Sequence, residues 1–177
     1  MPNDFDPGHP PFLGVVLAFF WKIFGHSLWV SHLAMLPLMI GAIYQLQRLI
    51  AYFVSNNTMI LLGLLLVVAD PTLSASFVLV NPEIIIIFFF FLAVNGILYQ
   101  EKKWQFIGLY FLSIITFRSM MLFAGLFLFE ILNNYFFNKK NLQKILHIKF
   151  ISFYFLAALP GIVFVLWRTL RIFMLKF

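Results

Sequence analysis

The chain has 177 residues, of which 63% are hydrophobic, 20% aromatic and only 10% charged, against roughly 25% charged in an ordinary soluble domain. That composition excludes an independent soluble oxidoreductase or kinase fold and confines any chemistry to a loop at a membrane surface or a cavity between helices. The formal charge of +6, from 12 Lys and Arg against 6 Asp and Glu, comes with no cysteine, which rules out disulfides, thiolate zinc sites, iron–sulfur clusters and cysteine nucleophiles.

The positions of the positive charges point to topology, and no nucleic-acid partner is expected. Lys102 and Lys103 form one cluster, and Lys139, Lys140, Lys144 and Lys149 form another. Each lies between apolar runs, where the positive-inside rule places cytoplasmic loops. Arg48 joins them on the inner side, while Lys22, Arg118, Arg168, Arg171 and Lys176 fall outside. Asp4, Asp6, Asp70 and Glu83 also fall outside.

In chain order, Met1 to Phe12 carries Asp4 and Asp6 with no apolar h-region, so it reads as a short translocated segment rather than a signal peptide. Phe12 to Phe24 is apolar but too short to cross a hydrocarbon core of about 30 Å, and it predicts an interfacial or re-entrant helix. Gly25, His26 and Ser27 make a turn with Ser27 as N-cap. The first span runs from Leu28 to about Leu46, before Gln47 and Arg48. A second, short span covers Thr58 to Ala69 and is stopped by Asp70 and Pro71. The connector to Glu83 suits a surface loop or short helix. Pro82 and Glu83 then open a third span, Ile84 to about Tyr99, because proline is tolerated in a first helical turn and an acid there suits the positive end of the helix dipole. Its run Ile84 to Phe91 has no amphipathic face and is a lipid or core segment.

Trp104 to Phe117 and Met120 to Phe137 predict a hairpin of two spans turning near Arg118 and Ser119, since both flanking loops are Lys-rich. One long tilted helix is the alternative. The last span covers Phe150 to Trp167, and Arg168 to Phe177 forms a basic tail. The expected fold is therefore an all-α integral membrane protein, a polytopic helical bundle of about six transmembrane or near-transmembrane helices plus the interfacial helix. It forms a single membrane domain over residues 1–177, with residues 1–27 external.

The segment Asp4 to Phe12 gathers two carboxylates and an imidazole, with three prolines and a glycine holding the backbone out of regular structure. A carboxylate there can serve as general base or divalent-metal ligand, and His9 can hold a phosphate or orient the acid. The plain alternative is a solvated tail. Arg118 offers a guanidinium fork to a lipid-linked phosphate or snorkels to the interface. Glu130, inside a span, is expected to pair across helices, and His32 to pack or hydrogen-bond between helices. His26 and His147 read as loop residues. Asn56, Asn57 and Thr58 match a glycosylation sequon, on the inner side in this topology. No phosphate-binding glycine loop, nucleophile elbow or His-Glu-x-x-His motif occurs.

Asp6, Pro7, Gly8, His9, Pro10, Pro11 and Phe12, followed by Trp21 to Ser27, resemble the first periplasmic loop of polytopic GT-C glycosyltransferases, the group holding protein O-mannosyltransferases and aminoarabinose transferases. Ala69, Asp70 and Pro71, with Asn81, Pro82 and Glu83, are similar to the next external connector of bacterial members. The resemblance covers about the first two thirds of the chain, and the His-Pro-Pro element is its most specific motif. It implies inverting sugar transfer from a polyprenyl-phosphate donor to an acceptor at the outer face of a bacterial plasma membrane, with a carboxylate of the first loop as base. Asp6 and Asp4 are the catalytic candidates, and His9, Pro10, Pro11, Asp70 and Arg118 the substrate-binding ones. Membrane lipids are the other expected partner. No cofactor is expected beyond a divalent metal, and the oligomeric state is left open. Family members carry a span and their catalytic acid upstream of the Pro-Pro element, so the chain is expected to be an N-terminally truncated fragment. The rival expectation is a non-enzymatic transporter-like or assembly subunit, in which Asp70, Arg118 and Glu130 are packing or relay residues.

Overall fold

A computed structural model describes residues 12–71, 75, 80–136 and 147–174 of the chain. Among them the elements are α1 (Phe12–Phe24), α2 (Leu28–Phe53), α3 (Asn57–Val68), α4 (Pro82–Leu98), α5 (Lys102–Ile115), α6 (Phe117–Phe136) and α7 (Ile148–Met174). Three stretches, Leu28–Phe53, Phe117–Phe136 and Ile148–Leu170, are long and apolar enough to cross a membrane, which is consistent with an integral membrane protein. The helices α1, α3 and α4 are apolar but shorter. At 1.5 Å per residue, the 17 residues of α4 reach about 25 Å.

The chain forms two compact units, one over Pro11–Gly108 and one holding Leu109–Phe177. In the first, α1 ends where Gly25 adopts a φ of +88°, a left-handed conformation that costs glycine little. Ser27 then caps α2, its hydroxyl accepting from the Val30 amide at 3.3 Å. The expectation that α2 stops at about Leu46 is corrected. It continues through Gln47 and Arg48 to Phe53, because both are good helix formers and the charge of Arg48 is met by Glu101. Asn56 caps α3, its side-chain oxygen accepting from the amides of Thr58 and Met59 at 2.9 and 3.4 Å. The sequon asparagine is thus engaged as a helix cap. α3 packs on α2, with Gly63 facing Ile50.

α4 is the core of this unit. Asn81 caps it by accepting from the Glu83 amide at 3.1 Å, with Pro82 in the first turn. Ile84, Ile85, Ile86, Phe89 and every residue from Leu92 to Ile97 are buried. Of the two readings of the isoleucine–phenylalanine run, core rather than lipid-facing surface is the outcome, as expected for a helix apolar on all sides. α2 packs along it where Gly41 lets the Phe88 ring approach.

The turn from α4 to α5 takes three residues. The Glu101 amide donates to the Gly96 carbonyl at 2.8 Å and the Gln100 amide to the Ile97 carbonyl at 3.3 Å, the paired bonds of a Schellman motif. Gln100 occupies the left-handed position with φ 60°, where glycine is usual. The returning helix comes so close that a Cβ placed on Gly96 would lie 2.5 Å from the Gln105 nitrogen, and one on Gly108 would lie 2.7 Å from the Ala93 nitrogen. Small residues permit this approach, as they do between membrane helices generally.

In the second unit, α6 begins one residue after α5 ends. The expected turn at Arg118 and Ser119 is corrected to a break at Thr116. The Ser119 amide donates to Thr116 Oγ1 at 3.1 Å, and the Thr116 amide donates to Ser119 Oγ at 2.9 Å. This reciprocal capping box spans Thr116 to Ser119, so Arg118 and Ser119 lie within the first turn of α6. α6 and α7 run antiparallel, since Phe117 meets Phe164 at 6.4 Å between ring centroids and Phe127 meets Phe150 at 5.7 Å. Gly161 lies against the Ser113 carbonyl with no room for a Cβ. The boundary expected at Trp167 is also corrected, since α7 runs on to Met174 because Arg168, Thr169 and Leu170 contain no helix breaker.

Gly96→Val and Gly108→Val are expected to destabilise the α4–α5 packing by about 1–3 kcal/mol, the range for overpacking. Gln100→Gly is expected to stabilise it by up to about 1 kcal/mol through relief of the left-handed backbone. Thermal unfolding of the detergent-solubilised protein reads all three, and an unchanged midpoint in both valine variants would contradict the packing.

Candidate functional site

Of the residues singled out in the sequence, Asp4, Asp6, His9, Pro10 and Pro11 lie outside the described residues. What the structure does describe is the element that follows them. α1 lies against the start of α2. Trp21 Nε1 donates to Ser31 Oγ at 3.0 Å, its ring sits 4.1 Å from the His26 ring centroid, and Leu17 is buried. The residues leading out of α1 are thereby fixed on the first turn of the long helix. His26 is a turn residue, as the sequence indicates, and its imidazole packs against Trp21 with the rings tilted by 56°.

Asp70 is exposed just beyond the C-terminal cap of α3. Arg118 is exposed in the first turn of α6. They belong to different units. Among the described residues no group of three His, Asp or Glu is placed to hold a metal ion.

Two polar constellations escaped the sequence reading in whole or in part. The first joins α2, α4 and the turn after α4. Asn95, fully buried, donates from Nδ2 to the Gln45 carbonyl at 2.7 Å and to Gln45 Oε1 at 2.8 Å. Its own Oδ1 has no hydrogen-bond partner. About one turn of α2 farther toward the loop, Arg48 Nη2 lies 3.0 Å from both carboxylate oxygens of Glu101. The Arg48 guanidinium carbon stands 4.7 Å from the Tyr99 ring centroid. The Tyr99 hydroxyl donates to the Arg48 carbonyl at 2.9 Å. Lys102 Nζ donates to the buried Gln105 Oε1 at 2.9 Å. The available signal was spacing: Gln45 with Arg48, and Asn95 with Tyr99, put polar groups on one face of otherwise apolar helices.

The second constellation is Glu130 on α6 and Tyr154 on α7. The Tyr154 hydroxyl donates to Glu130 Oε2 at 2.6 Å, and both residues are buried. Phe123, Phe127, Phe150 and Phe153 surround the tyrosine ring, with centroids 4.9 to 5.8 Å away. Glu130 was expected to pair across helices, and it does. The partner was not foreseeable, because it lies 24 positions on, inside a run of aromatics with no polar marker beside it. A carboxylate held this way fixes helix α6 against α7 and is not aimed at an open cleft.

No protein-family model, curated protein or solved structure matches the chain.

Tyr154→Phe removes one interhelical hydrogen bond while keeping the ring, and its expected cost is about 1–2 kcal/mol. Glu130→Gln combined with Tyr154→Phe tests the pair by a double-mutant cycle of unfolding free energies. Strict additivity would show that the two groups do not interact.

Proposed function

We propose that the chain is a membrane glycosyltransferase of the GT-C type, acting on a polyprenyl-phosphate sugar at the outer face of a bacterial plasma membrane. The observation that carries this reading is α1. A 13-residue apolar helix begins directly after His9, Pro10 and Pro11, ends at Phe24 before Gly25, and is pinned by Trp21 to the first turn of a long helix. That order of elements is what the resemblance to the first external loop of such enzymes implies. In this reading α3, α4 and α5 are short spans beside the three long ones.

The proposed chemistry needs a base and an anion contact. A carboxylate of the first loop takes the proton of the acceptor hydroxyl. The oxygen attacks the anomeric carbon from the face opposite the phosphate, the carbon–oxygen bond to the carrier breaks, and the polyprenyl phosphate departs with inversion. Asp6 is the favoured base, being next to the proline-rich sequence Pro7 to Pro11, with Asp4 the alternative. His9 and Arg118 are the proposed contacts of the carrier phosphate, and Asp70 with Pro10 and Pro11 the proposed rim of the substrate cavity.

A second reading is favoured by a specific observation. Gln45, Asn95, Arg48, Glu101, Glu130 and Tyr154 are all engaged in holding helices together. That is how polar groups serve a non-enzymatic membrane subunit. Sugar transfer distinguishes the two.

General-base action contributes about 10²–10⁴-fold, so Asp6→Asn is expected to lower turnover by that factor and leave carrier binding intact, because the amide keeps the shape and loses the basicity. Transfer from a polyprenyl-phosphate sugar, measured on membranes and on purified protein, checks it. Equal transfer by wild type and the Asp6→Asn and Asp4→Asn variants would dismiss both carboxylates as the base. For topology, a single cysteine introduced at Lys140 is expected to resist an impermeant thiol reagent in intact cells and to react after permeabilisation. Labelling in intact cells would invert the proposed orientation.

A further inference from the structure

Within the unit Leu109–Phe177, helices α6 and α7 leave an apolar groove of about 300 Å³ beside the end of α5, lined by Ser113, Met120, Phe123, Ala158, Gly161 and Val165. Its depth follows from the small residues of α7. Gly161 lets the Ser113 backbone close the floor, and Ala158 adds no bulk above it. Along one edge Ile162, Val165 and Leu166 are exposed, so the groove is open on a side bordered by apolar side chains.

One end of the groove is positively charged. Arg168 lies one turn beyond Val165 on the same stripe of α7, its guanidinium carbon 5.3 Å from the centroid of the Phe117 ring. Phe117 is the first residue of α6, so the arginine sits at the positive end of that helix's dipole. The other end, past Phe123 toward Tyr154, is walled by aromatic rings.

We propose that this groove holds one acyl chain of an anionic bilayer phospholipid, with the headgroup phosphate against Arg168. The volume stands at the lower limit of small-ligand sites, which suits a segment of one slender chain rather than several chains side by side. The open edge is bordered by apolar side chains of a helix long and apolar enough to cross a membrane, where an acyl chain is the neighbour of matching chemistry. The charged end selects the headgroup, as basic pockets between membrane helices do. Bilayer phospholipid is the amphiphile present at highest local concentration beside such an edge. The inference does not depend on the sugar-transfer reading, and its test does not measure transfer.

The experiment is native mass spectrometry of the delipidated full chain in detergent, titrated separately with phosphatidylglycerol, phosphatidylcholine and a polyprenyl phosphate. One phosphatidylglycerol is expected to be retained with about fivefold preference over phosphatidylcholine, since one basic residue near an anionic headgroup contributes on this scale. Arg168→Gln should bring the two lipids close to parity, and Arg168→Lys should keep most of the preference. Ala158→Phe, which fills the groove, should abolish retention of both. Arg168→Gln lies at the rim and keeps the test decisive if the filled variant fails to fold. Equal retention of the two phospholipids by wild type, or a preference unmoved by Arg168→Gln, would overturn the proposal. Preferential retention of the polyprenyl phosphate would also overturn it and would give the groove to the sugar carrier instead.

Discussion

The architecture of the first unit depends on how its neighbours grip α4, a helix that is apolar on every side over most of its length. Its isoleucines and phenylalanines offer the same apolar surface in all directions, so burial alone does not select a neighbour. Selection comes from the amides of Asn95 and Gln45, which would each be costly in hydrocarbon without a partner, and from the glycines that let backbones touch. The buried amide pair fixes the register of α2 on α4. Gly96 and Gly108 fix the register of α5 on α4. The Arg48–Glu101 ion pair then closes the loop end of the same stack, with Tyr99 covering the guanidinium.

The second unit solves the same problem with different groups. A tyrosine hydroxyl on a carboxylate takes the place of the amide pair, and Gly161 against Ser113 takes the place of the paired glycines. Around Tyr154 the phenylalanines supply shape rather than driving force. Edge-to-face aromatic contacts are directional, so this cluster orients α6 on α7 where aliphatic chains would permit sliding.

Much of the local structure was legible in the sequence because it is written in short-range chemistry. The limits of α1, the Ser27 cap, the stop at Asp70 and Pro71, and the start at Pro82 and Glu83 each depend on residues within one turn of the boundary. The misplaced boundaries have a common cause. Arg48 was read as the end of a span because a charge in an apolar run usually marks an interface, while its counter-charge stands 53 positions later. Arg168 closed the last span by the same reasoning. Thr116 was passed over because a hydroxyl capping box inside an apolar sequence gives a weaker signal than a charged residue two positions on. Of the candidate site, the carboxylates and His9 lie outside the described residues, and Asp70 and Arg118 are exposed side chains whose chemistry depends on what they meet. Neither the amide pair nor the Glu130–Tyr154 bond could be assigned from one sequence, since tertiary pairing chooses among many separated polar residues.

The three-residue turn between α4 and α5 also bears on the order in which contacts form. α5 has 14 residues, opens with two lysines and buries a glutamine, so it has little of its own to hold it as an isolated helix. A turn this tight, with its backbone bonds closed internally, brings α5 against α4 at small loop-closure cost. The pair is thus a local hairpin that can assemble before α2, whose contacts with α4 join residues about fifty positions apart.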